Sequence, residues 1–237
     1  MKIYFNLVVM FFLASIVCFS QNITTFKKIN QTTGLSNSRI TGIAREEGGF
    51  VWIGTNNGLN RFDGLEIKIY NKKNSNLESS DISDILIDSQ SRLWIATLGG
   101  GLHYYNPFED DFKVFKNEPN DFESLNSNAV NTLIEDSKGG MWLGTEAGLC
   151  YFNPSTNRFR SYSNQLDTSQ TKKSIGVTSV FEDKNGNLWI GTFGNGLFLF
   201  DVRNESFQQI ISEETAIPDF IYVISQLDPD KILVGTN

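Results

Sequence analysis

The sequence is short of cysteine, of histidine and of clustered positive charge, and each shortage removes a class of function. Two cysteines, Cys18 and Cys150, stand in 237 residues. Cys18 falls in the leader described below, so no intramolecular disulfide can form in the exported chain. Cys150, in Gly148-Leu149-Cys150-Tyr151-Phe152, reads as a buried apolar thiol. The one histidine is His103, and no motif places a serine, an aspartate or a second histidine beside it to make a nucleophile and its base. Against 20 Lys and Arg stand 27 Asp and Glu, a formal net charge of −7. The doublets Lys27-Lys28, Lys72-Lys73 and Lys172-Lys173 are isolated among acids. No nucleic-acid partner is expected, because phosphate neutralisation needs clustered cations. After Gln21 no apolar run is long enough to cross a membrane.

The first twenty residues have a different character. Lys2 precedes an apolar stretch from Leu7 to Val17, the charge and length of a signal peptide, with cleavage expected after Ser20 and export of the rest. Lipid attachment at Cys18 is disfavoured by Val17, where Gly or Ala is wanted. Removal of Lys2 with the leader leaves 19 basic against 27 acidic residues, a net charge of −8.

What the chain has in abundance is repetition. Trp52-Ile53-Gly54-Thr55 followed by Gly58-Leu59 returns as Trp94-Ile95-Ala96-Thr97 with Gly101-Leu102. It returns again as Trp142-Leu143-Gly144-Thr145 with Gly148-Leu149, and as Trp189-Ile190-Gly191-Thr192 with Gly196-Leu197. Leu233-Val234-Gly235-Thr236 begins a fifth copy. The starts at 52, 94, 142 and 189 are spaced by 42, 48 and 47 residues. Periods of about 40–50 residues holding several short strands mark the blades of a β-propeller.

Aligning the copies predicts four strands per blade. The inner strand is Ile40 to Ala44, Ile82 to Ile87, Val130 to Ile134 and Val177 to Phe181, apolar on both faces as befits a strand between two blades. An Asp- or Glu-led turn follows, such as Asp136-Ser137-Lys138-Gly139-Gly140, with the residues that side-chain-capped turns require. The Trp motif is the second strand and the Gly-Leu segment opens the third. Alternating aromatic and polar residues, as in Phe112-Lys113-Val114-Phe115, make a half-exposed fourth strand. The expected fold is all-β: a partial β-propeller over 21–237 with blades near 37–70, 79–116, 125–162 and 174–210, and a fifth begun at 219–237, in an open arc. Residues 24–30, with Phe26-Lys27-Lys28-Ile29-Asn30, match the fourth-strand pattern ahead of the first blade. They are expected to be an orphan outer strand that closes the ring.

Leu125-Asn126-Ser127-Asn128-Ala129-Val130, Glu135-Asp136-Ser137-Lys138-Gly139 and Met141-Trp142-Leu143-Gly144-Thr145 with Gly148-Leu149 resemble the two-component regulator propeller repeat, and the resemblance covers about Thr24 to Asn237. It implies the periplasmic sensor half of a large hybrid histidine kinase that controls polysaccharide utilisation. Such proteins join two seven-bladed propellers, a β-sandwich linker, one membrane helix, and kinase, receiver and DNA-binding modules. None of the latter is present, and the only histidine lies inside a blade strand, so this chain is not itself a kinase. The expectation is a non-catalytic, ligand-sensing segment for a glycan-derived oligosaccharide, anchored through C-terminal membrane and kinase modules that lie outside it, with a homodimer of the full-length protein.

Ligand contacts are sought where a fixed scaffold varies. The residues leading into the inner strands are Arg39, Asp81, Ala129 and Gly176. The loops between second and third strands are Asn56-Asn57, Leu98-Gly99-Gly100, Glu146-Ala147 and Phe193-Gly194-Asn195. Both sets are expected on one face around the central channel, with Arg39, Asn57, Asp81, Phe193 and Asn195 as polar and stacking contacts to a saccharide. The four Trp residues read as blade packing. Asp183-Lys184-Asn185-Gly186-Asn187 lacks a further acidic ligand for calcium, and no Lys-Ser/Thr follows a glycine loop to hold phosphate, so no metal or cofactor is expected. The rivals are a free-standing secreted propeller that docks a protein, and a propeller lyase or glycosidase working through His103 or a pair of channel carboxylates.

Overall fold

The structure is a computed structural model. It describes residues 26–162, 175–211, 217–228 and 231–236; the leader and its cleavage site lie outside them. Blade 1 is an antiparallel sheet of β1 (Ile40–Arg45), β2 (Val51–Thr55), β3 (Gly58–Phe62) and β4 (Ile67–Tyr70). Blade 2 holds β5 (Ile82–Ile87), β6 (Leu93–Thr97), β7 (Gly101–Asn106) and β8 (Asp111–Phe115). Blade 3 holds β9 (Val130–Glu135), β10 (Met141–Thr145), β11 (Gly148–Asn153) and β12 (Arg158–Ser161). Blade 4 holds β13 (Val177–Glu182), β14 (Leu188–Thr192), β15 (Leu197–Asp201) and β16 (Ser206–Gln209). A fifth sheet pairs β17 (Ile221–Asp228) with β18 (Lys231–Thr236). The inner strands β1, β5, β9, β13 and β17 follow one another around the channel, each packed on the next. The molecule is a β-propeller of four complete blades and a two-stranded fifth.

The Trp motif is a packing device. Trp52, Trp94 and Trp142 are buried, each in an aromatic cluster between blades, as where Trp94 meets Phe152 at 5.3 Å and Trp142 meets Phe200 at 5.6 Å. Their burial takes them away from any ligand. The indole N–H groups of Trp94 and Trp189 donate to Asp88 at 2.8 Å and Asp183 at 3.3 Å, the acids that open the preceding turns. The Gly of the motif is required by the next blade: a Cβ at Gly54 would come within 2.8 Å of Ile82, and one at Gly144 within 2.7 Å of Val177. Both gaps are too small for a side chain, so the inner strands of blades 2 and 4 seat their first β-branched residue in the space left by glycine, as does that of the fifth sheet against Gly191, while blade 3 packs against Ala96.

Polar pins cross the same seams. Each inner strand carries a β-bulge after its first residue, which turns the second residue toward the next blade. Ser83 donates to the Val130 carbonyl, Asn131 to the Val177 carbonyl at 2.9 Å, and Thr178 to the Ile221 carbonyl. Asp84 accepts from Thr132 Oγ1 at 3.0 Å and Leu133 N at 3.1 Å; burial raises its pKa, and the Leu133 bond opposes that rise. Farther along, Glu135 accepts from Ser89 N and Oγ, and Glu182 from Ser137 N and Oγ, tying each blade to the turn before it.

The expected closing strand has no partner among the described residues. Residues 26–30 form no strand; Phe26 is exposed, and Lys27 reaches the Gly64 carbonyl and the Phe62 ring. An outer strand needs the free edge of a third strand beside it, and among the described sheets every third strand in a complete blade is already paired with its own fourth.

Candidate functional site

The loops between second and third strands and the residues leading into the inner strands lie at one end of the blades, because Thr55 pairs with Ile40 and Thr97 with Ile82 across the antiparallel ladder. At that end the two variable sets meet across each blade seam. Asn56 of blade 1 donates to Asp81 of blade 2 at 2.8 Å. Leu98 of blade 2 forms a β-bridge with Ala129 of blade 3, and Phe193 of blade 4 forms the same bridge with Phe220 at the fifth sheet. At the remaining seam the Cα of Glu146 lies 3.9 Å from where Gly176 would carry a Cβ. The two seams that share a bridge thus carry an aliphatic and an aromatic pair, and the other two a polar pair and an acid beside glycine.

The backbone beneath these pairs is held alike. Gly58 N donates to Ser80 O at 2.7 Å, Gly101 N to Asn128 O at 2.8 Å, and Gly196 N to Asp219 O at 2.9 Å, each across a seam. Gly101 has φ +88° and its Cβ would strike the Phe115 carbonyl at 2.3 Å, so no other residue fits there. Loops pinned in this way present side chains on a rigid frame.

The predicted site residues fall into two groups. Arg39 and Asn57 are exposed at blade 1; Asn57 Nδ2 donates to the Ser36 carbonyl at 3.3 Å, and Arg39 is steadied by its backbone N–H on Asn37. Asp81 is half-buried and engaged by Asn56, which makes it a seam residue as much as a face residue. Phe193 is 61% exposed, and its ring meets that of Phe220 edge-on with centroids 4.9 Å apart. Asn195 is half-buried in the same loop, its carbonyl accepting from Gln209 Nε2 at 3.0 Å. Phe220 escaped the sequence reading, yet it immediately precedes Ile221 as Arg39 precedes Ile40. Carrying the alignment into the fifth copy finds it.

His103 is elsewhere. It is fully buried in β7, where Nε2 accepts from Glu78 N at 3.1 Å. Asn60 occupies the same place in blade 1 and accepts from Ser36 N at 2.9 Å. An imidazole whose Nε2 must accept is neutral, and burial lowers its pKa to about 4. Cys150 fills the slot in blade 3, with burial pushing its thiol up to about 12. These are packing positions without access to a substrate. Asp183, the acid of the calcium-like loop, has its oxygens taken by Asn185 N, Asn187 N and Trp189 Nε1.

A second polar cluster lies between blades 1 and 2 at the opposite end. Asp110, in a left-handed conformation at φ +52°, accepts from Lys68, from Tyr70 OH at 2.5 Å, from Tyr105 OH at 2.7 Å and from Arg61 at 3.3 Å. Burial would raise the Asp110 pKa, but the bonds from Lys68, Tyr70 and Tyr105 outweigh it and hold the carboxyl below its usual range. This network locks two blades together.

The two component regulator propeller family matches the chain at residues 34–57, 76–99, 124–147 and 172–194, once in each of the four complete blades. Over 79 residues, a third of its length, the chain is 35% identical to a protein named Histidine kinase P4 of Formosa agariphila and spans 6% of it. A B. thetaiotaomicron structure described as the extracellular domain of a hybrid two component system superposes with TM-score 0.59 at 25% identity, covering 89% of this chain and 34% of that one. A second extracellular domain from B. thetaiotaomicron, described as part of a one component system, gives TM-score 0.70 at 22% identity over 91% of this chain and 27% of its own, a likeness of fold. The chain therefore spans about a third or less of these relatives. Its blades are built from two-component regulator propeller repeats.

Proposed function

We propose that this chain is the ligand-sensing, exported part of a hybrid two-component signalling system, and that its ligand is a glycan-derived oligosaccharide. The observation that carries the reading is the recurrence of the regulator-propeller match in successive blades, supported by likeness to an extracellular domain described as belonging to such a system. On this reading Arg39, Asn57, Asp81, Phe193 and Asn195 contact the saccharide at the channel face, on a frame that repeats while its surface chemistry changes. Binding there, or at a dimer interface of the full-length protein, shifts a two-state equilibrium that membrane and kinase modules report. No helix among the described residues is long and apolar enough to cross a membrane; on this reading the anchor belongs to polypeptide outside them and the propeller faces the periplasm. The burial of His103 and its bond to Glu78 N weigh against a lyase that would use it.

The test is an immunoblot of fractionated cells with an antibody raised to residues 34–162. The expected result is a band far larger than this chain, in the inner-membrane fraction. A soluble band of this chain's own size would overturn the signalling role.

A further inference from the structure

Asn60, His103, Cys150 and Phe198 stand at one position of the third strand in blades 1 to 4, and all four are buried. In blades 1 and 2 this side chain accepts a hydrogen bond from the segment leading into the blade. Asn60 accepts from Ser36 N and donates to Ser36 Oγ and to the Ile53 carbonyl, so a neutral amide serves there. The Cys150 thiol lies beside Asn126 N, and burial pushes it up to about 12. Phe198 has no polar side-chain atom. In blade 2 alone of the four complete blades the position holds a group whose ordinary pKa lies near neutrality.

His103 Nε2 accepts from Glu78 N at 3.1 Å, and Nδ1 is buried with no hydrogen-bond partner among the described residues. A second proton on this ring would turn Nε2 into a donor facing another donor, and would charge a group that water does not reach. Burial is the largest influence on the ring and disfavours its charged form. The Ile95 carbonyl on β6, the Glu78 carboxylate on the segment and the Gly101 carbonyl on β7 favour the imidazolium, and Lys116, at the end of β8, opposes it. Glu78 and Lys116 pair with each other at 3.6 Å, which offsets their opposed effects. Neither carbonyl takes a hydrogen bond from Nδ1.

The segment that His103 holds runs directly to the channel face. Ser79 Oγ donates to the Leu98 carbonyl at 2.8 Å, and Gly58 N donates to Ser80 O at 2.7 Å. Leu98 N donates to Asp81 O at 2.9 Å, and Asp81 accepts from Asn56 Nδ2 at 2.8 Å. Residues 78–81 are therefore suspended between blade 1, through Asn56 and Gly58, and blade 2, through His103 and Leu98. They lie outside every strand, between β4 and β5, so they can open while the ladders of both blades stay paired.

We infer that His103 is an acid-released latch on residues 78–81: protonation turns Nε2 from acceptor to donor, frees Glu78 N, and loosens the hold of Ser80 and Asp81 on blade 1 at the channel face. The corresponding segments at 36–39 and 126–129 carry no such latch, because Asn60 stays neutral and Cys150 stays protonated across the acid range. The latch does not depend on which ligand the channel face receives.

Hydrogen exchange of the untagged 21–237 chain at pH 6.5, 5.5 and 4.5, corrected for the intrinsic rate at each pH, tests it. Uptake of one proton per opening lowers protection about five- to tenfold for each pH unit in this range. That fall is expected at the amides of Glu78, Gly58 and Leu98, while those of Ser36 and Asn126 change less than about threefold. His103→Asn, which supplies the bond that Asn60 makes in blade 1, should flatten the Glu78 series and keep the native circular dichroism. His103 is the one histidine of the chain, so its ring resonances read out the unsubstituted protein directly, and they should show a neutral ring at pH 5.5 in the folded state. A ring that titrates near its ordinary 6.5 would overturn the latch. So would a Glu78 series that is flat or that persists in His103→Asn, or a fall shared equally by Ser36 and Asn126. Release of Glu78 with Gly58 and Leu98 unmoved would overturn its reach to the channel face.

Discussion

The seam between blades 1 and 2 and the uncovered flank of blade 1 present the same residues in opposite circumstances. Ile82 and Ile85 of β5 are 0% and 7% exposed because blade 1 covers them; Ile40 and Ile43, at the same places in β1, are 46% and 63% exposed. The pins differ in the same way. Glu135 and Glu182 end their inner strands bound to the preceding turn, whereas Arg45 ends β1 exposed to solvent. Leu233 and Val223 of the fifth sheet, 57% and 54% exposed, repeat the pattern on the far side. A blade's own hydrogen-bonded ladder is thus insufficient to bury its core, which is completed by its neighbour.

The strongest way to break this comparison is to charge both members. Ile82→Asp places an unpaired carboxylate in a closed seam and should cost about 4 kcal/mol or more, enough to abolish cooperative folding. Ile40→Asp, the same change where no described blade covers the strand, should cost under about 1 kcal/mol in a polypeptide limited to residues 21–237. Urea denaturation followed by tryptophan fluorescence measures both, and equal losses would show that the two positions share an environment.

A second comparison, between His103 and Asn60 in one slot, is sharpened by pH. Folding lowers the His103 pKa from 6.5 to about 4, so the unfolded chain takes up the proton first. Its contribution to stability is complete above pH 6.5, declines as pH falls toward 4, and is lost below that. The loss is on the order of 3 kcal/mol. His103→Asn should keep the fold, since Asn60 makes the equivalent bond to Ser36 N, and should remove that part of the acid sensitivity. A pH series of urea midpoints for both proteins tests this, and an unchanged slope between pH 6.5 and 4 in the variant would contradict it.

The smallest effects separate two outer seams. Asp110 ties Lys68, Tyr70, Tyr105 and Arg61 together, while at the seam of blades 3 and 4 the place is taken by Glu205, paired with Arg160 at 2.6 Å in an exposed position. Asp110→Ala should cost about 1–2 kcal/mol, since buried tyrosine hydroxyls lose their acceptor. Glu205→Ala should cost about 0.5 kcal/mol or less, as screened surface pairs do. Thermal melts of the two variants compare them directly.

Much of the scaffold was legible because each blade repeats the same demands. Trp, Gly and Thr recur where a neighbour must be packed, approached and hydrogen-bonded, so strand order and blade spacing follow from alignment. The bulges at Ser83, Asn131 and Thr178 were not legible, since a one-residue slip in a short inner strand leaves no trace in its hydrophobic pattern. The channel-face residues were found as two separate variable sets. That Asn56 meets Asp81, and Phe193 meets Phe220, depends on how consecutive blades are rotated against each other, which no single repeat encodes. Phe26 to Asn30 match the fourth-strand pattern without the neighbouring edge that would make them one.

The central claim is that the variable seam pairs at the channel face receive the ligand. Hydrogen exchange of the chain with and without the oligosaccharide that binds it most tightly tests it most directly. The account predicts slowed exchange at residues 193–196 and 217–220, with the hairpins at 63–66 and 106–111 unchanged at the opposite end. Protection confined to those hairpins, or spread evenly over all blades, would contradict it.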